Sequence, residues 1–222
     1  NTNASETSKL LENSYRAVNI ALMEEWGRFA EEIGIDIFEI VDAIRMRPTH
    51  SNIRQPGFGV GGYCLTKDPL FAKIAAVDIF EIDGHSFTFS TQSVDINSKM
   101  PKVTLKKIKE HFNGNMKGKN ILLMGATYRQ DVGDTRFSPS EYFAKDLLKM
   151  NGCLTVCDPL INYWEEMQMK VENEILDFST KANTNAATKL THAALVKEST
   201  KPKAKTAIIP NKIFFFLLIV NK

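Results

Sequence analysis

The stretch from about residue 5 to residue 33 constrains the fold more than any other. Leu11, Tyr15, Val18, Leu22, Trp26, Phe29 and Ile33 recur three or four residues apart, which puts an apolar stripe on one face of a single helix. At about 1.5 Å per residue such a helix is roughly 40 Å long. That is long for a domain of this size, and it predicts a central or intersubunit helix. A second row, Lys9, Asn13, Arg16 and Ile20, lies about 200° round the axis from the first. Gly34 suits the end of the helix, and Asp36 with Glu39 predicts a capping box for a short helix from Ile37 to about Arg45.

The chain has 222 residues, 43% hydrophobic and 24% charged, the balance of one large or two small domains with a buried core. Lys and Arg exceed Asp and Glu by 28 − 26 = 2, so no charge excess points to nucleic acid or to an anionic membrane surface. The lysines between positions 181 and 205 have no aromatic residue among them on which a base could stack. Three cysteines argue against a disulfide framework and fit a reducing, cytoplasmic compartment. The four histidines are scattered, which speaks against a metal centre. No apolar run is long enough to predict a transmembrane helix. The first residues, Asn1 to Glu6, carry no initiator Met and no signal-peptide pattern, and the chain reads as a piece of a longer protein.

Residues 46–63 change character. Pro48, Pro56 and the run Gly57-Phe58-Gly59-Val60-Gly61-Gly62 predict a shaped loop rather than regular structure. Helices are expected over about 68–77 and 87–111, the second kinked or broken at Pro101. The polar segment Asn113 to Lys119 reads as a linker, which divides the chain into a helical domain over 1–112 and an α/β domain over 119–222. In the latter, Ile121 to Met124 predicts a buried strand. Ser138-Pro139-Ser140-Glu141 opens a helix and Leu154 to Cys157 forms a second strand, a βαβ unit that implies a parallel sheet. A helix is expected over 161–178. The polar stretch 179–206 has no period, and the apolar end, Ile213 to Val220, is either a last strand of the sheet or sequence that has drifted after about residue 165.

Several motifs bear on chemistry. Residues 57–62 match G-x-G-x-x-G, but Pro56 stands where a dinucleotide fingerprint needs a strand, so the run reads as backbone able to approach a ligand closely. Cys64 follows it and precedes a helix start, a setting at the positive end of the helix dipole that favours thiolate. It is either a nucleophile or a small buried hydrophobe. Cys153 and Cys157, in or beside a strand, read as structural. Lys9 and Asn13 stack one helical turn apart, either on a solvated face or as a pair of donors. Arg129 and Arg136, near the start of the later helix, form a phosphate-friendly setting or an ordinary exposed loop.

Three stretches together resemble the UDP-glucose/GDP-mannose dehydrogenase family of nucleotide-sugar 6-dehydrogenases. They are Glu6-x-x-Lys9-x-x-x-Asn13-x-x-Arg16 with Ile20-Ala21 and Glu25; Pro56 through Cys64-Leu65-Thr66-Lys67-Asp68-Pro69; and Gly125-Ala126-Thr127-Tyr128-Arg129 through Asp134-Thr135-Arg136-Phe137-Ser138-Pro139, ending at Asp158-Pro159. The resemblance covers about residues 4–165. It implies a helical central domain followed by a partial Rossmann-like, UDP-binding domain, with the family's N-terminal NAD-binding domain absent from this chain. It also implies the NAD-dependent, four-electron oxidation of a UDP-sugar C6 alcohol to a carboxylate. Under it, Cys64 traps the aldehyde as a thiohemiacetal that becomes a thioester, Lys9 and Asn13 stabilise the oxyanion, and Asp68 is associated with water activation. Gln55, Phe58, Gly59 and Gly61 enclose the substrate, Tyr128 and Arg129 touch it, and Lys67 and Arg136 lie on the cofactor side. A homodimer through the long helix is expected, with no nucleic acid, membrane or metal partner. The wording of the glycine run leans to a UDP-N-acetylhexosamine, with UDP-glucose second. The competing reading is a non-catalytic dimerisation and UDP-binding piece. This sequence has Arg129 where Lys is usual and Glu24 where Asn is usual, and strands after Asp158-Pro159 are not recognisable.

Overall fold

A computed structural model describes residues 1–173 and the backbone of two later strands, Ile208–Ile209 and Phe216–Val220. The chain forms two compact units, residues 1–100 and 101–222.

The first unit is helical. α1 (Thr2–Glu32) starts where the Asn1 side chain accepts the Ala4 N–H at 3.2 Å. It closes on a left-handed glycine, Gly34 at φ 73°. The Gly34 N–H donates to Glu31 and the Ile35 N–H to Ala30 at 2.8 Å, satisfying carbonyls that a helix end otherwise leaves bare. α2 (Ile37–Arg45) is capped by Asp36, whose carboxylate accepts the Phe38 N–H at 2.8 Å. Ile37, Phe38 and Val41 of α2 pack on Met23 and Ala30 of α1, with Ile53 at the edge. α3 (Asp68–Asp78) carries Pro69 in its first turn, where a missing N–H breaks no helical bond. α4 (Thr88–His111) runs on through Pro101 without ending there, although proline removes one hydrogen bond, and the division between the units falls at this residue.

The buried residues of α1 are Asn13, Ser14, Ala17, Ala21, Met23, Glu24 and Ala30, all small or polar except Met23. The apolar stripe faces out, with Leu11 68% and Trp26 55% exposed and Tyr15, Leu22, Phe29 and Ile33 about as open. Close approach explains the inversion. The Ala17 carbonyl accepts from Asn97 of α4 at 3.1 Å. At Gly27 a Cβ would stand 2.7 Å from the Cβ of Pro56, so only a residue without one admits the loop there. Neighbours that pack against the helix backbone select Ala and Gly inward and leave the large side chains outside.

The second unit holds β1 (Asn120–Met124), α5 (Pro139–Lys149) and β2 (Cys153–Cys157), with β1 and β2 parallel from Asn120↔Cys153 to Met124↔Cys157. Ser138 caps α5 by accepting the Ser140 N–H, and Pro139 occupies its first turn. Ile121, Leu122, Leu123 and Val156 of the strands are buried, as are Phe143, Ala144 and Leu147 of α5 and Ile108 near the end of α4. The segment expected as a linker is tied down: Met116 is buried, and the Gly118 N–H donates to the Asn151 carbonyl at 2.8 Å.

The helix expected over 161–178 does not form in its described part. β3 (Tyr163–Trp164) and β4 (Met169–Lys170) pair antiparallel around one 3₁₀ turn. Burial of Trp164 and Val171, both fully enclosed, outweighs a helix-compatible sequence. Part of the apolar end forms a strand, as the first of its two readings expects. β6 (Phe216–Val220) lies antiparallel beside β1, and β5 (Ile208–Ile209) beside β6, giving the sheet order β2-β1-β6-β5. The 179–206 stretch and the rest of the apolar end lie outside the described residues.

Candidate active site

The glycine loop delivers its cysteine to the start of α3. Gly59 at φ 140° and Gly62 at φ 78° turn the chain in a region that other residues rarely enter. Thr66 then donates its hydroxyl to the Gly62 carbonyl at 2.7 Å. The Cys64 carbonyl accepts the Lys67 and Asp68 N–H groups at 3.2 and 2.8 Å, one helical turn ahead of α3. The Cys64 residue is exposed, which removes the buried-hydrophobe reading.

Asp68 connects this turn to α1. Its Oδ2 accepts from Asn13 Nδ2 at 2.8 Å, across 55 positions of sequence, and its Oδ1 pairs with Lys67 Nζ at 3.1 Å. Asn13 is fully buried, and its Oδ1 has no hydrogen-bond partner. A buried amide held on one side only leaves an acceptor to be satisfied, a costly state in a closed protein. Thus Asn13, Lys67, Asp68 and the backbone of Cys64 come together. Lys9, one turn before Asn13, does not join them; its ammonium lies out in solvent, 3.8 Å from Glu12. Lys67 also sits over the Phe71 ring, 4.7 Å from its centre.

Of the four loop residues expected to enclose the substrate, Phe58 is buried. Gln55 reaches Asp42 at a long 3.4 Å, and Gly59 and Gly61 are half-buried. The loop has an anchor that sequence reasoning missed. Glu24, 2% exposed, accepts the Gly57 N–H on Oε1 at 2.6 Å. Burial pushes its carboxyl up to about 8, against the pull of the Gly57 N–H and of Arg28. The signal was available: Glu24 lies three helical turns from Asn13 on the same face as Ala17 and Ala21.

In the second unit, Asp158 organises the loop after β1. It is buried, and its Oδ2 accepts from the N–H groups of Ala126 and Thr127 and the Thr127 hydroxyl at 2.8, 3.0 and 3.1 Å, while Oδ1 accepts the Leu160 N–H. Tyr128, half-buried, and Arg129, exposed, follow directly. The Tyr128 N–H donates to the Asp134 carbonyl at 2.9 Å. Arg136 forks onto Asp134 at 2.9 and 2.7 Å, holding that carboxyl below its usual range, so its charge is already matched. Cys157 is buried, which pushes its thiol up and fits a structural residue, whereas Cys153 is exposed.

The one G-x-G-x-x-G run follows Pro56 rather than a strand, and Lys67 and Arg136, the cations expected on the cofactor side, are each paired with an aspartate. No group of three His, Cys, Asp or Glu able to hold a metal occurs among the described residues, and no helix there is long and apolar enough to cross a membrane.

A long helix bearing a cysteine-loop partner, followed by a small α/β unit, is the fold of nucleotide-sugar dehydrogenases. The chain is similar to the NDP-N-acetyl-D-galactosaminuronic acid dehydrogenase of Methanosarcina mazei (TM-score 0.65, 25% identity, covering 78% of this chain and 38% of that one). A second solved structure, the UDP-D-ManNAc dehydrogenase of Pyrococcus horikoshii, gives a TM-score of 0.55 at 30% identity over 68% of this chain and 35% of that one. Residues 3–99 match the central domain of the UDP-glucose/GDP-mannose dehydrogenase family, and the chain belongs to that family. It is 35% identical over 179 residues to the UDP-N-acetyl-D-mannosamine dehydrogenase of Methanococcus vannielii, covering 79% of this chain and 39% of that relative. The chain therefore spans about two fifths of the length of the relatives it matches.

Proposed function

We propose that the intact protein is an NAD-dependent nucleotide-sugar 6-dehydrogenase acting on a UDP-N-acetylhexosamine, with UDP-glucose the second choice, and that this chain contributes the substrate side of the reaction. The observation that carries the reading is the Asn13–Asp68 hydrogen bond at 2.8 Å beside the exposed Cys64. It ties the helix donor to the turn that bears the sulfur.

In this reading the Cys64 sulfur adds to the C6 aldehyde of the oxidised sugar, forming the C–S bond of a thiohemiacetal as the carbonyl electrons move onto oxygen. That oxygen carries the developing charge. The second Nδ2 hydrogen of Asn13 is free of Asp68 and serves as its donor, and Lys9, on a flexible stem one turn away, adds positive charge on swinging in from Glu12. At the thioester stage, water attacks the acyl carbon, its proton passes to Asp68, and the C–S bond breaks to return the Cys64 thiol and release the carboxylate. Lys67 at 3.1 Å keeps the Asp68 carboxylate oriented. NAD enters through the family likeness. The hydride transfers are assigned to no residue of this chain, and a separate NAD-binding domain in the parent is part of the proposal. Tyr128 and Arg129 bind the UDP-sugar from a loop shaped by Asp158.

The test is Cys64→Ser in the intact protein: release of the uronic acid should fall at least a hundredfold. Undiminished acid formation refutes the nucleophile.

The homodimer belongs to the same proposal. The outward stripe of α1, with Trp26 and Phe29 edge to face at 6.0 Å, is a large apolar surface of the kind a second copy covers. Sedimentation of the 222-residue chain should give a dimer, and Leu22→Glu with Phe29→Glu a monomer. A folded wild-type monomer at tens of micromolar overturns it.

A further inference from the structure

We propose that Glu24 is a positioning residue for the Cys64 thiol: its buried carboxyl holds the Gly57 N–H and so sets the path of the loop that runs from residue 55 into Cys64. The loop meets α1 at two adjacent points. Gly57 donates to Glu24 Oε1 at 2.6 Å, and Pro56 rests against Gly27, three residues further along α1, where no Cβ fits. Phe58 is then buried, and Gly59 and Gly62 turn the chain at positive φ. The far end is held by Thr66, which donates to the Gly62 carbonyl at 2.7 Å, and by the Asp68 N–H on the Cys64 carbonyl at 2.8 Å. The sulfur-bearing residue thus hangs between two anchors, and the Glu24–Gly57 bond is the one on the loop's entry side. Its geometry fits a role beyond filling space, because a single acceptor of the right length reaches a backbone donor that glycine leaves accessible.

The charge facing Glu24 comes from its own helix. Arg28 lies one turn on, its Nη2 directed to Met100 Sδ of α4 at 2.8 Å and its buried Nε without a partner. The loop presents Pro56 and Gly57, which carry no charge. Burial favours the neutral carboxyl up to about pH 8, so an alkaline shift places a charge beneath the loop and alters its anchorage. A neutral acid, like an amide, presents a carbonyl oxygen that accepts, and Glu24→Gln keeps that acceptor while removing the titration. The consequence for turnover rests on residues 55–61 being the substrate loop; the coupling to the sulfur does not.

The experiment is alkylation of Cys64 by iodoacetamide in the 222-residue chain, followed by peptide mass spectrometry from pH 6 to pH 10, with exposed Cys153 as the internal reference. The wild-type rate divided by the Glu24→Gln rate cancels the thiol's own titration. It should stay near one at pH 6 and change at least threefold by pH 10, while the Cys153 ratio stays flat. Glu24→Met, which keeps the length but removes the acceptor, should change the Cys64 rate at least threefold already at pH 6. A Glu24→Met rate equal to that of wild type at pH 6 overturns the proposal; where Glu24→Met does not fold, a wild-type to Glu24→Gln ratio that stays flat to pH 10 overturns it, because a charge placed on the anchor then leaves the thiol untouched. Either result together with loss of acid product in Cys64→Ser refutes the positioning role and leaves the dehydrogenase reading intact; the reverse pair does the opposite.

Discussion

Replacing Glu24 by Gln should stabilise the helical unit, by an amount that grows with pH. The carboxyl moves from 4.5 to about 8 on folding, a rise of about 3.5 units caused first by desolvation. At about 1.36 kcal/mol per unit, linkage gives a total of about 5 kcal/mol. The sign follows from the direction of the shift. Below pH 4.5 both folded and unfolded chains hold the proton and the group carries no penalty. As pH rises the unfolded chain loses the proton while the fold retains it, so stability falls until the folded group also ionises near pH 8. At pH 7 the accumulated loss is about 3 kcal/mol, which Gln escapes while its carbonyl still accepts the Gly57 N–H. The group is almost fully enclosed, so solvent screening takes little from this figure. The measurement is urea unfolding of both proteins at one concentration, read by hydrogen exchange of α1 peptides so that the helical unit is followed by itself. The difference should rise by roughly 1 kcal/mol per pH unit between pH 5 and pH 8 and level off above. A difference that does not vary with pH would show that Glu24 is not held neutral by burial.

Gly27→Ala should destabilise the helical unit by about 1–3 kcal/mol, because the new methyl meets Pro56 at 2.7 Å; an unchanged urea midpoint for α1 would mean that the loop gives way freely. Asp158→Asn should cost the second unit about 2–3 kcal/mol. An amide has one acceptor oxygen where the carboxylate uses two for four donors. Faster amide exchange at Ala126 and Thr127 is the expected signature, and unchanged exchange there counts against the reading.

Much of the local structure was legible because its causes lie within a few residues of their effects. The Asp36 cap, Gly34 at the end of α1 and Ser138-Pro139 opening α5 are hydrogen bonds or steric limits over two to five positions, and each falls where the sequence places it. The Cys64 turn was readable for the same reason. The hairpin at residues 163–170 was not, since Trp164 and Val171 take their burial from the rest of the unit rather than from a pattern of their own.

The long helix separates the two kinds of information most clearly. From sequence alone came its length, its ends, and the opposition of an apolar row to a row holding Asn13. Which row faces inward was decided by segments distant along the chain: Pro56 against Gly27, Asp68 on Asn13, and Asn97 on the Ala17 carbonyl. Large side chains would hold those segments away from the helix backbone, so the large residues are left on the outside. The same contacts bury Glu24 and divide Lys9 from Asn13. Periodicity records that a helix has two faces; packing against the backbone determines which of them is enclosed.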